Sequence, residues 1–199
     1  MNATRPRDEF LRTLAGRYTG QLVVSVYTTC FEWMAIRPDA LNYVAVGAMG
    51  QAGSHALGLA LGQPDQEVWV LDGDGSLLMN LGSLVTLAGA KPKNLTHFVF
   101  QNGSYEANGR ASLPVAHAID FAAMARAAGI ADAHQISEPE ALDHWLLHRG
   151  PATGPALVDL RVLSSATSYP QRYDYIHSAE ARDTFRAALK ALPHTGARA

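Results

Sequence analysis

Two kinds of apolar pattern alternate along the chain. Compact runs rich in β-branched and aromatic residues occur at 21–27 (QLVVSVY), 67–72 (EVWVLD), 95–101 (LTHFVFQ) and 156–162 (ALVDLRV), with a shorter one at 43–46. Runs of this length, bounded by turn residues, read as strands buried on both faces. Between them, 1–20, 51–62, 77–90, 119–128, 138–149 and 178–192 carry apolar residues at helical spacing, with Ser137 as an N-cap for the segment at 138–149. The stretch 28–42, broken by Arg37-Pro38-Asp39, reads as irregular, and 102–110 (NGSYEANGR) as a polar loop. Strands alternating with helices predict an α/β fold: three layers, a doubly wound parallel sheet with helices on both faces. No internal repeat or low-complexity linker divides the chain, so residues 1–199 are expected to form one domain.

Composition narrows the function. Hydrophobic residues make up 48% of the 199 and charged residues 17%, enough for a sizeable core. The formal charge is −2 and no basic block stands out, which gives no footprint for nucleic acid or an anionic membrane surface. One cysteine, Cys30, excludes an internal disulfide, a four-cysteine zinc site and an iron–sulfur cluster. The N-terminal stretch has no apolar h-region and no segment is long enough to span a bilayer, so a cytoplasmic location is expected.

Ligands of such sheets bind beyond the carboxyl ends of the strands. Three loops there carry unusual chemistry: 47–50, 72–76 and 102–110. Asp74 follows a strand and is flanked by Gly73 and Gly75, which let backbone approach a ligand closely. Ser76 is expected to open a helix, whose free N–H groups favour an anion such as phosphate. Asn102 lies 28 residues further on, at the equivalent end of another strand. Asp74, the Asn102 amide oxygen and the Ser104 carbonyl are hard oxygen ligands that, with phosphate oxygens and water, suit Mg2+. A calcium loop starting at Asp72 is excluded, because Leu77 stands where glycine is required and Ser83 where a bidentate Glu is required.

The order Gly47-Ala48-Met49-Gly50, Gly73-Asp74-Gly75-Ser76, then Asn102 resembles the diphosphate half of thiamine diphosphate enzymes. The stretches RPDALNYVAVGAMG, LDGDGSLLMNLGSL and PKNLTHFVFQNGSY are similar to the β subunit, or C-terminal half, of sulfopyruvate and phosphonopyruvate decarboxylases. That resemblance implies the thiamine diphosphate-binding fold, with thiamine diphosphate and Mg2+ as cofactors. Gly47, Met49, Gly73, Asp74, Gly75, Ser76, Asn102, Ser104 and Tyr105 would contact the cofactor, Met49 as the apolar wedge and the Gly47 carbonyl as an acceptor. It implies decarboxylation of a small 2-oxoacid to an aldehyde. It also implies that the activating Glu comes from a separate pyrimidine-binding α subunit, in an α2β2 unit or a multiple. No such acid is found in this chain, although Glu32 and Glu106 lie near predicted loops.

Candidate substrate contacts are His55, Glu106, Asn108 and Arg110. Glu106-Ala107-Asn108 departs from the Gly/Ser/Thr-rich run of the resembled enzymes, and a free Glu106 carboxylate would repel a second anion. Competing functions are a carboligase subunit resembling acetolactate synthase, an oxidoreductase half that a single cysteine disfavours, and a non-catalytic thiamine diphosphate-binding subunit.

Overall fold

The computed structural model describes residues 5–44, 49–116 and 118–193. Six parallel strands form one sheet: β1 (Leu22–Ser25), β2 (Asn42–Tyr43), β3 (Val68–Gly73), β4 (Leu95–Gln101), and two more named β7 (Asp132–Ile136) and β8 (Ala156–Arg161). Their order is β2-β1-β3-β4-β8-β7. A two-stranded antiparallel hairpin, β5 (Ser104–Tyr105) with β6 (Ala111–Ser112), stands apart from the sheet just beyond β4.

Alternate strand residues feed two cores. Leu22, Val24, Val68, Val70, Leu95 and Val99 face α3 (Ala52–Gly62), α5 (Ser83–Ala90), α6 (Phe121–Ala128) and α9 (Ala179–Ala191). Val23, Trp69, Leu71, Phe98, Phe100 and Leu160 face α1 (Arg7–Arg17), α2 (Tyr27–Ile36) and α7 (Pro139–His148). Two short helices complete the chain, α4 (Asp74–Leu78) and α8 (Tyr173–Ile176). The three-layer, doubly wound arrangement is therefore the one the sequence pattern predicts.

Local readings need four corrections. The stretch 28–42 is not irregular: α2 occupies most of it, with Thr29, Cys30, Phe31, Glu32 and Trp33 all buried. A helix buried around most of its circumference shows no amphipathic period, and Thr28 and Thr29 disguise its start. The single helix expected at 77–90 is two, α4 and α5, parted by a turn at 79–82. β7 went unread because DAHQI has few apolar residues; as an edge strand it buries only Ala133 and Ile136. Glu138, not Ser137, occupies the N-cap position of α7, and Pro139 fills its first turn.

The chain winds from β1 through α2 to β2 at one edge, then returns through α3 to β3 on the other side of β1. The winding direction reverses between β1 and β3, a topological switch point that opens a crevice at the carboxyl ends of those strands. Among the described residues, no helix is long and apolar enough to cross a membrane.

Asp159 in β8 gives the sheet a pH-dependent cost. It is fully buried and accepts a hydrogen bond from Gln135 Nε2 at 3.0 Å. Burial pushes its carboxyl up to about 6, outweighing the help from Gln135 and the Arg161 charge. The folded chain thus holds this proton more tightly than the unfolded chain does. Its contribution to stability falls as pH rises from about 4 to about 6, by a few kcal/mol at most. Chemical denaturation of Asp159→Asn and wild type at pH 4.5 and 7 should show the variant gaining relative stability at the higher pH; parallel profiles would contradict this.

Candidate functional site

The crevice is built on the ends of β1, β3 and β4. At the end of β3 the backbone is held from behind: Gly73 N–H donates to Asp72 Oδ1 at 2.9 Å, and the other oxygen of Asp72 pairs with buried His97 Nε2 at 3.1 Å. Asp74 then opens α4 and is 2% exposed. Its Oδ1 accepts from Gly75 N–H at 2.8 Å and its Oδ2 from Gly103 N–H at 2.7 Å. Burial pushes this carboxyl up to about 6, although the backbone donors of Gly103, Gly75 and Asn102 favour its ionised form. Asp74 is thus a carboxylate with no cationic side chain bonded to it, in a place where charge is costly.

The Gly103 bond also joins two strand ends, carrying the segment after β4 onto the turn after β3. Asn102 Oδ1 accepts from Ser104 N–H at 2.9 Å and Ser104 Oγ at 3.1 Å. Tyr105, in β5, lies against Gly75 so closely that a Cβ there would stand 2.5 Å from its Cδ1. Only glycine fits at position 75.

A third layer arrives from the N-terminal helix. Arg7, 3% exposed, donates Nε and Nη2 to the two carboxylate oxygens of Glu32 at 2.8 and 2.7 Å, and Nη1 to Glu106 Oε2 at 2.7 Å. Burial opposes the charge on Arg7, but Glu32 and then Glu106 more than compensate, so it stays protonated. Burial would likewise raise Glu106; the Arg7 guanidinium outweighs it and holds the carboxyl below its usual range. The same Glu106 Oε2 accepts from Asn102 Nδ2 at 3.0 Å. Glu106 is therefore not the free anion that the sequence alone left it.

A small open cleft collects these groups. Gly73, Asp74, Gly75, Ser76, Asn102, Ser104, Tyr105, Glu106 and Met49 all line it. Ser76 does not open a long helix. It is the third residue of the five-residue α4, and its Oγ accepts from Gly50 N–H at 3.0 Å, tying the turn before α3 to that after β3. Gly47 lies outside the described residues. His55 is not brought to the cleft: it is exposed on α3, stacked on Tyr43 at 5.5 Å, with Nδ1 on the Gln51 carbonyl at 2.9 Å. Asn108 is exposed on the hairpin's outer turn and does not line the cleft. Arg110 lines a neighbouring polar cleft that shares Thr28 and Glu106 with the first. Its side chain is 73% exposed, 3.9 Å from Glu106 Oε1.

Sequence reasoning missed Arg7 and the segment 26–29, both of which line the cleft. Arg7 left no local signal, because its partners are 25 and 99 residues away. Tyr27 adopts φ +44°, a left-handed conformation that a bulky residue rarely takes and that marks a constrained turn.

The donor set fits a divalent cation bridging to a diphosphate. Asp74, Glu106 and Glu32 face one buried cation, Arg7, so the cleft and its wall carry an uncompensated negative charge. Asp74, the Asn102 amide and Ser104 are oxygen donors of the kind Mg2+ takes, with remaining positions left to phosphate and water. To accept a cation, Asn102 Oδ1 has only to release the Ser104 hydroxyl while keeping the Ser104 N–H. Among the described residues no group of three His, Cys, Asp or Glu side chains could hold a metal by itself. A cation here would therefore draw on neutral oxygens of the chain, on water and on the oxygens of an anion beside it.

Residues 19–160 match the family model described as thiamine pyrophosphate enzyme, C-terminal TPP binding domain. A phosphonopyruvate decarboxylase of Streptomyces viridochromogenes is 36% identical over 152 residues, covering 76% of this chain and 38% of that protein. A sulfopyruvate decarboxylase subunit beta of Methanothermobacter thermautotrophicus is 39% identical over 124 residues, covering 62% of this chain and 66% of that subunit. The chain thus spans somewhat under two fifths of the first relative's length and about two thirds of the second's. Among solved structures, a benzoylformate decarboxylase of Polynucleobacter necessarius superposes with a TM-score of 0.66 at 21% identity, covering 82% of this chain and 34% of that one. It shares the fold.

Proposed function

This chain belongs to the thiamine pyrophosphate enzymes, matching their C-terminal TPP-binding domain, and on that premise we propose that residues 1–199 are the diphosphate-binding domain of a two-subunit 2-oxoacid decarboxylase. Buried Asp74, bonded only through backbone N–H groups and set beside Asn102 and Ser104, is the observation that carries this reading. In it, Asp74, Asn102 and Ser104 would hold Mg2+, which would bind the cofactor's diphosphate, while Met49 and Tyr105 would form apolar walls that keep water from the rest of the cofactor. Thiamine diphosphate, when bound, supplies the electron sink that decarboxylation of a 2-oxoacid needs.

The reading also accounts for the state of the other acids near the cleft among the described residues. Among the described residues, Glu106 lines the cleft beside Asp74 and Glu32 lines the neighbouring one, and both are held by Arg7. Both are engaged in ion pairs, which is consistent with the family arrangement in which the activating Glu is supplied by a separate pyrimidine-binding α subunit. Relatives named as beta subunits support that division. Relatives acting on sulfopyruvate and phosphonopyruvate support a substrate bearing a second anionic group. The ion pair with Arg7, shared with Glu32, lessens the repulsion that Glu106 would offer such a group, and Arg110 stands exposed nearby as its counter-charge.

The test supplies the purified chain, alone and assembled with its α subunit, with thiamine diphosphate, Mg2+ and pyruvate, sulfopyruvate or phosphonopyruvate. CO2 release is expected only from the assembled enzyme, and faster with the two dianionic substrates. Release by the chain alone would place the activating acid within these residues. Equal rates with pyruvate would remove the substrate assignment.

A further inference from the structure

We propose that Glu106, clamped by Arg7, is a positioning residue that fixes the Asn102 amide with its oxygen toward the cation. The proposal rests on Asn102 being a cation ligand. An amide side chain can present either end to a ligand, and only one end can bind a cation. Here the two ends have partners that admit a single assignment. Ser104 N–H can only donate, so it faces Oδ1; ionised Glu106 can only accept, so it faces Nδ2.

Glu106 is itself held. Its Oε2 takes the Asn102 amide and Arg7 Nη1 together, at 3.0 and 2.7 Å. Arg7 in turn is fixed at both levels: its side chain by the two-point contact with Glu32, its backbone by Arg7 N–H on the Leu163 carbonyl at 3.0 Å. The Arg7–Glu32 pair is complete without Glu106, because it uses Nε and Nη2 and leaves Nη1 to reach the loop. The arrangement runs from α1 and α2 through one carboxylate to one amide, and ends at the candidate cation ligand.

Outer groups that orient a metal ligand typically change metal affinity ten- to a hundredfold. Calorimetric titration with thiamine diphosphate in Mg2+ and in EDTA, on the assembled enzyme, tests this. Glu106→Ala should weaken the Mg2+-dependent affinity about tenfold, and Glu106→Gln, which keeps an acceptor for the amide, should restore most of it. The cofactor-free thermal midpoint reports folding; Glu106→Met, which fills the space without an acceptor, repeats the comparison if the alanine variant is unstable. In an Asn102→Ala background, Glu106→Ala should cost nothing further, because there is no amide left to orient. Losses that multiply in the double variant, or an unaffected Glu106→Ala beside a weakened Asn102→Ala, would overturn the positioning role alone. An Asn102→Ala enzyme with wild-type affinity would overturn the ligand assignment and the proposal with it.

Discussion

Asp74→Ala should lower Mg2+-dependent thiamine diphosphate affinity by a hundredfold or more, about 3 kcal/mol. The substitution removes the one charged protein ligand in the proposed donor set, and Asn102 and Ser104 offer only neutral oxygens in its place. It also strands the Gly75 and Gly103 N–H groups, each costing about 1–3 kcal/mol if left unpaired. Against that stands relief, since Asp74 is an ionised group whose burial pushes its carboxyl up to about 6. The cofactor-free fold should therefore change less than binding does. Asp74→Asn separates the two effects, because an amide oxygen can still accept one of those backbone bonds but carries no charge. Its thermal midpoint should stay near wild type while Mg2+-dependent binding, followed by calorimetry, is lost.

Gly75→Ala should be nearly as damaging, by geometry rather than charge. The added methyl would lie 2.5 Å from Tyr105 Cδ1, 2.7 Å from its Cε1 and 3.4 Å from Leu113 Cδ2. The ring cannot remain there, and moving it shifts the β5–β6 hairpin or the turn that holds Asp74. Overpacking of this kind costs about 1–3 kcal/mol. Because both sides of the clash line the cleft, cofactor affinity should fall at least tenfold along with the thermal midpoint. Removing the ring should rescue stability: Gly75→Ala with Tyr105→Ala should melt higher than Gly75→Ala alone. A single variant with unchanged midpoint and affinity would show that the two walls are not in contact.

What the sequence made legible depended on the range of the interaction that mattered. Strands β3, β4 and β8 announce themselves because both faces are buried, so every position carries the signal. The Gly73-Asp74-Gly75-Ser76 turn is legible because its residue types stand together in the sequence, although the ring that forces glycine at position 75 comes from Tyr105 in a distant segment. α2 is not legible, since a helix surrounded by core has no polar face to mark its period. The split between α4 and α5 is hidden by apolar residues that would suit one continuous helix, and the break at 79–82 is set by Asn80, whose side chain donates to the Gly50 carbonyl and whose own carbonyl accepts from the Ser83 hydroxyl. Arg7 is the clearest loss. Near the N-terminus it reads as a solvated helix charge, and its meaning comes only from Glu32 and Glu106, brought to it by the fold. For the same reason Glu106 reads as a free, repulsive charge in sequence and as one half of a shared ion pair in three dimensions. His55 fails in the opposite direction, because proximity to the glycine-rich turn along the chain does not place its side chain in the cleft.

The central claim is that this cleft holds a diphosphate through a divalent cation. It is tested most directly by titrating the wild-type chain with thiamine diphosphate, once with Mg2+ and once with EDTA. Binding heat is expected with Mg2+ and should vanish with EDTA, because the Asp74 carboxylate repels the diphosphate unless a cation lies between them. Equal binding in EDTA, or none under either condition, would contradict the account.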